Sequence, residues 1–245
     1  MTPLSIQSIT NRFLMKRTLF TFILLIKTFY LLAQKAEGYG FAIINDKDGY
    51  MNVRSQPNVK SHIVGKIKED ELFFCLSNEG HYDWFLIDAK DSLSGYVHRS
   101  RLKFIGDFPK FTNIKEIKDT LFIKNGNLTV KIVANHFVKS QHKILKDAHG
   151  HVVKIDGKRP WGMDGGLPKV GISSIIAFLN DEIIEIPNDE LIDLFQPNFS
   201  MTEVYKGQKG NLYITMFNSD GAGGYTVAFA IKDKKYIGRS VFNGF

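Results

Sequence analysis

The chain has 245 residues, of which 44% are apolar, 23% charged and 13% aromatic, 20 of them Phe. Those proportions exclude a disordered polyelectrolyte. One cysteine, Cys75, excludes a disulfide scaffold and any Cys-rich zinc module. The formal charge of +7 divides into +5 over residues 1–36, −1 over 37–105 and +3 over 106–245, so the part after residue 36 is nearly neutral. It lacks the basic stripe needed to neutralise phosphates, which excludes nucleic acid as a partner.

Residues 1–36 read as a leader. Lys16 and Arg17 precede the apolar run from Leu19 to Ile26, Lys27 interrupts it, and Phe29–Ala33 resumes it before the polar Gln34-Lys35. A charged start, an apolar middle and a small residue at the exit are the parts of a secretory signal. Cleavage is expected after Ala33, and Met15 is an alternative start. Residues 18–33 are fewer than the roughly 20 apolar residues of a span, so no membrane span is expected after cleavage. The protein is therefore expected to be exported, as a periplasmic, secreted or cell-envelope protein.

Residues 37–106 read as short strands separated by turns. Apolar segments at 41–44, 50–54, 63–67, 72–76, 83–88 and 94–98 alternate with turn-forming clusters such as Asn45-Asp46-Lys47-Asp48-Gly49. No stretch between them is long enough for a crossover helix, which excludes a parallel α/β fold. So many short strands in so few residues predict a small barrel. Cys75 sits within an apolar run and is expected to be buried and unreactive. The side chains of Asn52, Arg54 and Ser55 are expected to fix the turn that follows them.

Four blocks in this region carry a recognisable pattern: Gly49–Pro57, Val64–Ile67, Asp83–Ile87 and Gly95–Leu102. In order and spacing, residues 41–105 resemble the bacterial SH3 (SH3b) family. Gln56 stands where that family usually has Gly, and Asp88–Ser94 is longer than its usual hairpin. The resemblance implies an SH3-like barrel that recognises a cell-wall peptide or glycan, or another extended peptide. A barrel this small fills its own interior, so a ligand must lie outside it. Tyr50, Tyr82, Trp84 and Tyr96 are the candidate binding residues, because rigid aromatic area suits peptides and glycans at little entropic cost.

Residues 107–245 read as a second antiparallel β domain, sandwich-like, starting at the junction Asp107-Phe108-Pro109. Strands are expected at 120–124, 127–138, 152–155, 172–179, 182–186, 211–217 and 225–231, with hairpin turns at 124–127 and 179–182. One short helix is expected after Pro187, with Asn188 as its cap, Asp189 and Glu190 in its first turn, and Pro197 beyond its end. Two Gly-rich loops, 160–168 and 218–225, add Trp161, Asp220 and Tyr225 to the candidate binding residues. Tyr213–Tyr225 resembles the strand-loop-Tyr feature of periplasmic lysozyme inhibitors. That likeness implies an alternative role, as an inhibitor acting through the 218–225 loop.

Catalytic chemistry finds little support. Cys75 lies in a strand, where it cannot act as an exposed nucleophile at a helix start. The chain has neither a phosphate-binding Gly-rich loop ending in Lys-Ser/Thr nor a His-Glu-x-x-His pattern. His142, His149 and His151 read as solvent-facing turn residues rather than metal ligands. Asp156 and Asp164, flanking Trp161, leave a hydrolase in residues 107–245 as a further alternative. The leading expectation is a non-catalytic binding protein with no cofactor and no metal, whose partner is a peptidoglycan peptide or a protein or peptide ligand.

Overall fold

Of the first seven strands, those at 50–54, 84–89 and 93–98 bury alternate side chains, whereas 73–75 are buried in succession. The computed structural model describes residues 40–77, 80–81, 83–180 and 182–243. The leader, its cleavage site and Tyr82 lie outside them. The strands are β1 (Gly40–Ile44), β2 (Tyr50–Arg54), β3 (Ile63–Lys68), β4 (Phe73–Ser77), β5 (Trp84–Ala89), β6 (Leu93–His98) and β7 (Leu102–Phe104). They form one antiparallel sheet in the order β3-β2-β6-β5-β4-β1-β7, coiled around a core that includes Val53, Ile67, Phe73, Cys75, Phe85 and Val97. Burial pushes the Cys75 thiol far up in pKa, so it remains an apolar filler.

β2 and β6 meet at a single register pair, Arg54 opposite Tyr96. The backbone approach there requires Gly95, which has φ +155; a Cβ at that position would lie 2.6 Å from the Arg54 carbonyl oxygen and 2.8 Å from Val53 Cγ1. The long Asp88–Ser94 connection folds into a tight turn at Lys90–Ser92, with Asp91 and Ser92 both at φ 59.

The remaining strands are β8 (Asn113–Ile117), β9 (Thr120–Asn125), β10 (Leu128–His136), β11 (Ile144–Lys146), β12 (Val152–Ile155), β13 (Val170–Leu179), β14 (Glu182–Glu185), β15 (Thr202–Lys206), β16 (Leu212–Asn218), β17 (Tyr225–Lys232) and β18 (Lys235–Phe242). A five-stranded sheet, β14-β13-β10-β9-β8, shares a core with a four-stranded sheet, β15-β16-β17-β18. Ile123, Ile132 and Ile175 from the first meet Ile214, Val227 and Phe229 from the second. β11 and β12 form a separate hairpin.

The four-stranded sheet is apolar on both faces. Tyr213, Ala228 and Ala230 point away from the sandwich core and join Phe41, Phe74, Ile105 and Phe108 in a third core. Phe74 stacks on Phe242 with ring centroids 4.0 Å apart, and Phe108 on Tyr213 at 5.5 Å. Lys232 Nζ donates to Asp70 Oδ1 at 2.9 Å and to the Glu69 carbonyl at 2.8 Å across the same contact. The described residues form one compact unit, with the barrel fastened through the outer faces of β1 and β4. No helix among the described residues is long and apolar enough to cross a membrane.

The helix expected after Pro187 does not form. Asn188–Glu190 makes a single 3-10 turn, and the chain then straightens so that Leu194 pairs with Trp161 and Phe195 with Gly171. Gln196 takes φ 55 immediately afterwards. Asp193, 4% exposed, is held by Arg239 of β18 through contacts of 2.7 and 2.6 Å. Burial alone would disfavour the Arg239 charge, but the hydrogen bonds and charges of Asp193, with Glu190, outweigh it and raise its pKa. These contacts require an open turn rather than a continuous helix, and tertiary pairing overrides local propensity.

Candidate functional site

The outer surface of β2, β5 and β6 carries a cleft. Tyr50, Asn52 and Arg54 alternate outward on β2, while the inward Met51 and Val53 fill the barrel. Trp84 of β5 lies opposite His98 of β6, and their rings meet edge to face at 5.1 Å. Between these strands and the loop carrying Val59 lies a cleft of about 270 Å³, lined by Asn52, Arg54, Trp84, His98, Ser100 and Arg101 together with Met51 and Val59.

The polar groups of the cleft are arranged from behind. Arg54 Nη1 donates to the Ser61 carbonyl at 2.7 Å, holding the 55–62 loop against the strand. Ser61 Oγ in turn donates to the carbonyls of Gln56 and Asn58 at 2.9 and 2.8 Å. Arg101 is ion-paired with Asp46 and, at 3.0 Å, with Asp48, so its position is set by the 45–49 turn. Ser100 N–H donates to His98 Nδ1 at 3.3 Å, and the Ser100 hydroxyl lies 2.8 Å from the same nitrogen. With Nδ1 accepting, the neutral ring carries its proton on Nε2 and offers a donor there. Asn52 Oδ1 is a buried acceptor with no hydrogen-bond partner among the described residues. The cleft therefore offers an aromatic wall with guanidinium and imidazole groups beside it.

Of the candidate binding residues that are described, Trp84 alone lines this cleft. Tyr50 is 38% exposed on the same outer surface, with the Lys66 ammonium 4.2 Å from its ring centroid. Tyr96 is half-buried, 6.3 Å from His81 and edge-on to it. Neither ring belongs to the barrel core. Tyr82 is outside the described residues.

The Gly-rich loops form a second cluster. Trp161 is half-buried against the sandwich core, its ring centroid 6.1 Å from that of Tyr225 and 5.4 Å from the Arg159 guanidinium. The 218–225 loop does not project; it docks on the 160–168 loop. Ser219 Oγ donates to the Gly162 carbonyl at 3.2 Å, and a Cβ on Gly223 would lie 3.0 Å from the Met163 carbonyl carbon. Asp220 is exposed at the rim of a groove, and its carbonyl accepts the Gly223 N–H at 3.2 Å. Tyr225 differs from the expectation for a ligand contact, because it is 1% exposed. Its hydroxyl donates to the Phe195 carbonyl at 3.0 Å and accepts from Asn218 Nδ2 at 3.1 Å, which ties the loop to the 188–196 turn.

Sequence reading missed Arg101 and His98 as cleft residues, and read Asn52 and Arg54 as turn supports alone. Arg101 and Asn52 are far apart in the chain, and only strand pairing brings them together. The signal available was the outward alternation Tyr50, Asn52, Arg54 beside a Pro-containing loop. Two histidines outside the barrel hold local turns. His142 Nδ1 lies 2.6 Å from Asp156 Oδ2 and its ring stacks on Phe137, and His151 pairs with Asp147. No group of three or more His, Cys, Asp or Glu suited to a metal occurs among the described residues. Comparison of the chain with protein-family models, with curated proteins and with solved structures found no match in any of the three.

Proposed function

We propose that this is an exported, non-catalytic binding protein that holds an extended peptide, such as the peptide part of a bacterial cell wall, in the barrel cleft beside Trp84. The supporting observation is the meeting of the Trp84 ring with the side chains of Arg54, His98 and Arg101 in one cleft of about 270 Å³. An extended peptide supplies carbonyl acceptors for the cationic and imidazole groups, while one of its side chains lies on the indole. The SH3b resemblance of residues 41–105 and the leader-like residues 1–36 agree with this role and with export. An inhibitor acting through 218–225 receives less support, since that loop is docked and Tyr225 is inside.

Retention of the full chain on purified peptidoglycan at moderate salt tests the reading. Trp84→Ala should weaken retention roughly ten- to hundredfold, equivalent to about 1–3 kcal/mol, with cooperative unfolding preserved. No retention of the unmodified chain, or equal retention of Trp84→Ala, removes the proposal.

A further inference from the structure

The five-stranded sheet ends at β8, which among the described residues pairs only with β9. All five residues of β8 are exposed. The Lys118-Asp119 turn closes on the pair Ile117 and Thr120. On the far side of β9, Ala134 N–H donates to the Asp119 carbonyl at 2.8 Å. In an antiparallel ladder that bond turns the backbone groups of Thr120 toward β8. By alternation Ile117, Lys115 and Asn113 bond inward to β9, and the N–H and C=O of Ile114 and Glu116 face the open edge.

The side chains add direction. Ile114 and Glu116 lie opposite Ile123 and Leu121, which point into the sandwich core, yet Ile114 is 50% exposed. The core-side face therefore runs uncovered past the last strand. Across from it, Pro197 and Phe199 form a groove of about 470 Å³ whose rim carries Glu116 and Asp220, and an adjoining hollow of about 320 Å³ reaches Asp119 and Lys118. Glu116, Asp119 and Asp220 make no ion pair among the described residues.

We infer that this edge docks an extended basic peptide, which adds to the sheet beside β8 and turns its cationic side chains toward Glu116 and Asp220. Open strand edges are templates for such addition. The charge balance of the groove selects the occupant, with three carboxylates against Lys118 alone. A second copy fits poorly. Two-fold pairing that continues the same sheet face sets Lys115 against its own counterpart in one register and Glu116 against its own in the next. Like charges directly opposite are destabilising. The remaining register, centred on Ile114, leaves the outward groups of Glu116 unused.

The test uses the full chain and the peptide acetyl-Thr-Lys-Val-Lys-Thr-amide, whose two lysines share one face when extended. Backbone-amide shifts on titration should be saturable and centred on Ile114 and Glu116. The peptide with Glu in place of both lysines should bind at least about tenfold more weakly. Ile114→Pro removes an outward N–H without touching the β9 ladder, so the fold stays and binding should fall at least about tenfold. Glu116→Lys should reverse the preference between the two peptides. The inference is overturned by no saturable binding at about 1 mM peptide, by undiminished binding to Ile114→Pro, by shifts centred on Trp84, or by concentration-dependent dimerisation through β8.

Discussion

Replacing Tyr225 by Phe removes one oxygen from a sealed junction and leaves the ring volume unchanged. The residue is 1% exposed, and its hydroxyl links the Phe195 carbonyl at 3.0 Å to Asn218 Nδ2 at 3.1 Å. Asn218 is 0% exposed and its Oδ1 already accepts the Asn198 N–H at 3.0 Å, so it cannot turn to find another partner without breaking that bond. The substitution forfeits two hydrogen bonds and strands a donor and an acceptor where little solvent reaches. At about 1 kcal/mol net per bond, with a further desolvation penalty for a stranded group, the loss should be about 2–4 kcal/mol. Urea unfolding should show the midpoint falling by about 1 M with an unchanged slope. A double-mutant cycle with Asn218→Ala should give a coupling of about 1 kcal/mol or more. A stability loss below about 0.5 kcal/mol, particularly with weakened ligand binding, would refute the structural role and return Tyr225 to the candidate ligand contacts.

Gly162→Ala should destabilise by more than the usual Gly-to-Ala effect, roughly 2–4 kcal/mol. At φ +86 its Cβ would lie 2.3 Å from the Phe195 carbonyl oxygen and 2.9 Å from Tyr225 Cε1, and a calorimetric midpoint within about 1 °C of the unmodified protein contradicts this. Asp156 has a pH-dependent role. The His142 hydrogen bond, and then the Lys143 amide, hold its carboxyl below the usual carboxylate range. The contribution is thus complete above the ordinary carboxylate pKa of about 4 and is lost as pH falls through the lower folded value. Asp156→Asn should cost roughly 0.5–1 kcal/mol near neutral pH and approach no difference in strong acid; a gap that persists unchanged at the acid end contradicts the pairing.

Strands whose alternation follows burial were legible in the sequence. β2 and β12 match their expected bounds at both ends, and β1 and β3–β6 agree to within a residue or so. β7, β8, β11, β15 and β18 were not read, and two of them show why. β8 is exposed along its length, so no buried face imposes a pattern. β18 carries Gly238 and Arg239, and its polar residue is there to reach Asp193 across the sandwich. The 188–195 segment looked helical because Asn188, Asp189 and Glu190 form a good start, but Leu194 and Phe195 are used for pairing elsewhere. At the candidate site Trp84 was visible as an aromatic beside a strand. Arg101 was not, because its place depends on Asp46 and Asp48, more than fifty residues earlier in the chain. Tyr225 was visible and misread, since a Gly-rich loop looks alike whether it projects or is docked.

The two apolar faces of the β15–β18 sheet bear on how the cleft can work. Domains joined by a linker are expected to move relative to one another. Here Ala228 and Ala230 keep β17 low on its outer face, which lets Phe41, Phe74 and Phe108 pack close. That contact occupies the outer faces of β1 and β4, neighbours at one end of the barrel sheet, while the cleft draws on β2, β5 and β6. The anchoring contact and the cleft therefore use different strands of one small sheet. An added side chain at Ala228 would press on the anchoring face and leave the composition of the cleft intact, whereas a change at Trp84 would alter the cleft and leave the third core complete. The barrel is thus packed directly on the sandwich through the third core, and its cleft lies on strands that this contact leaves uncovered.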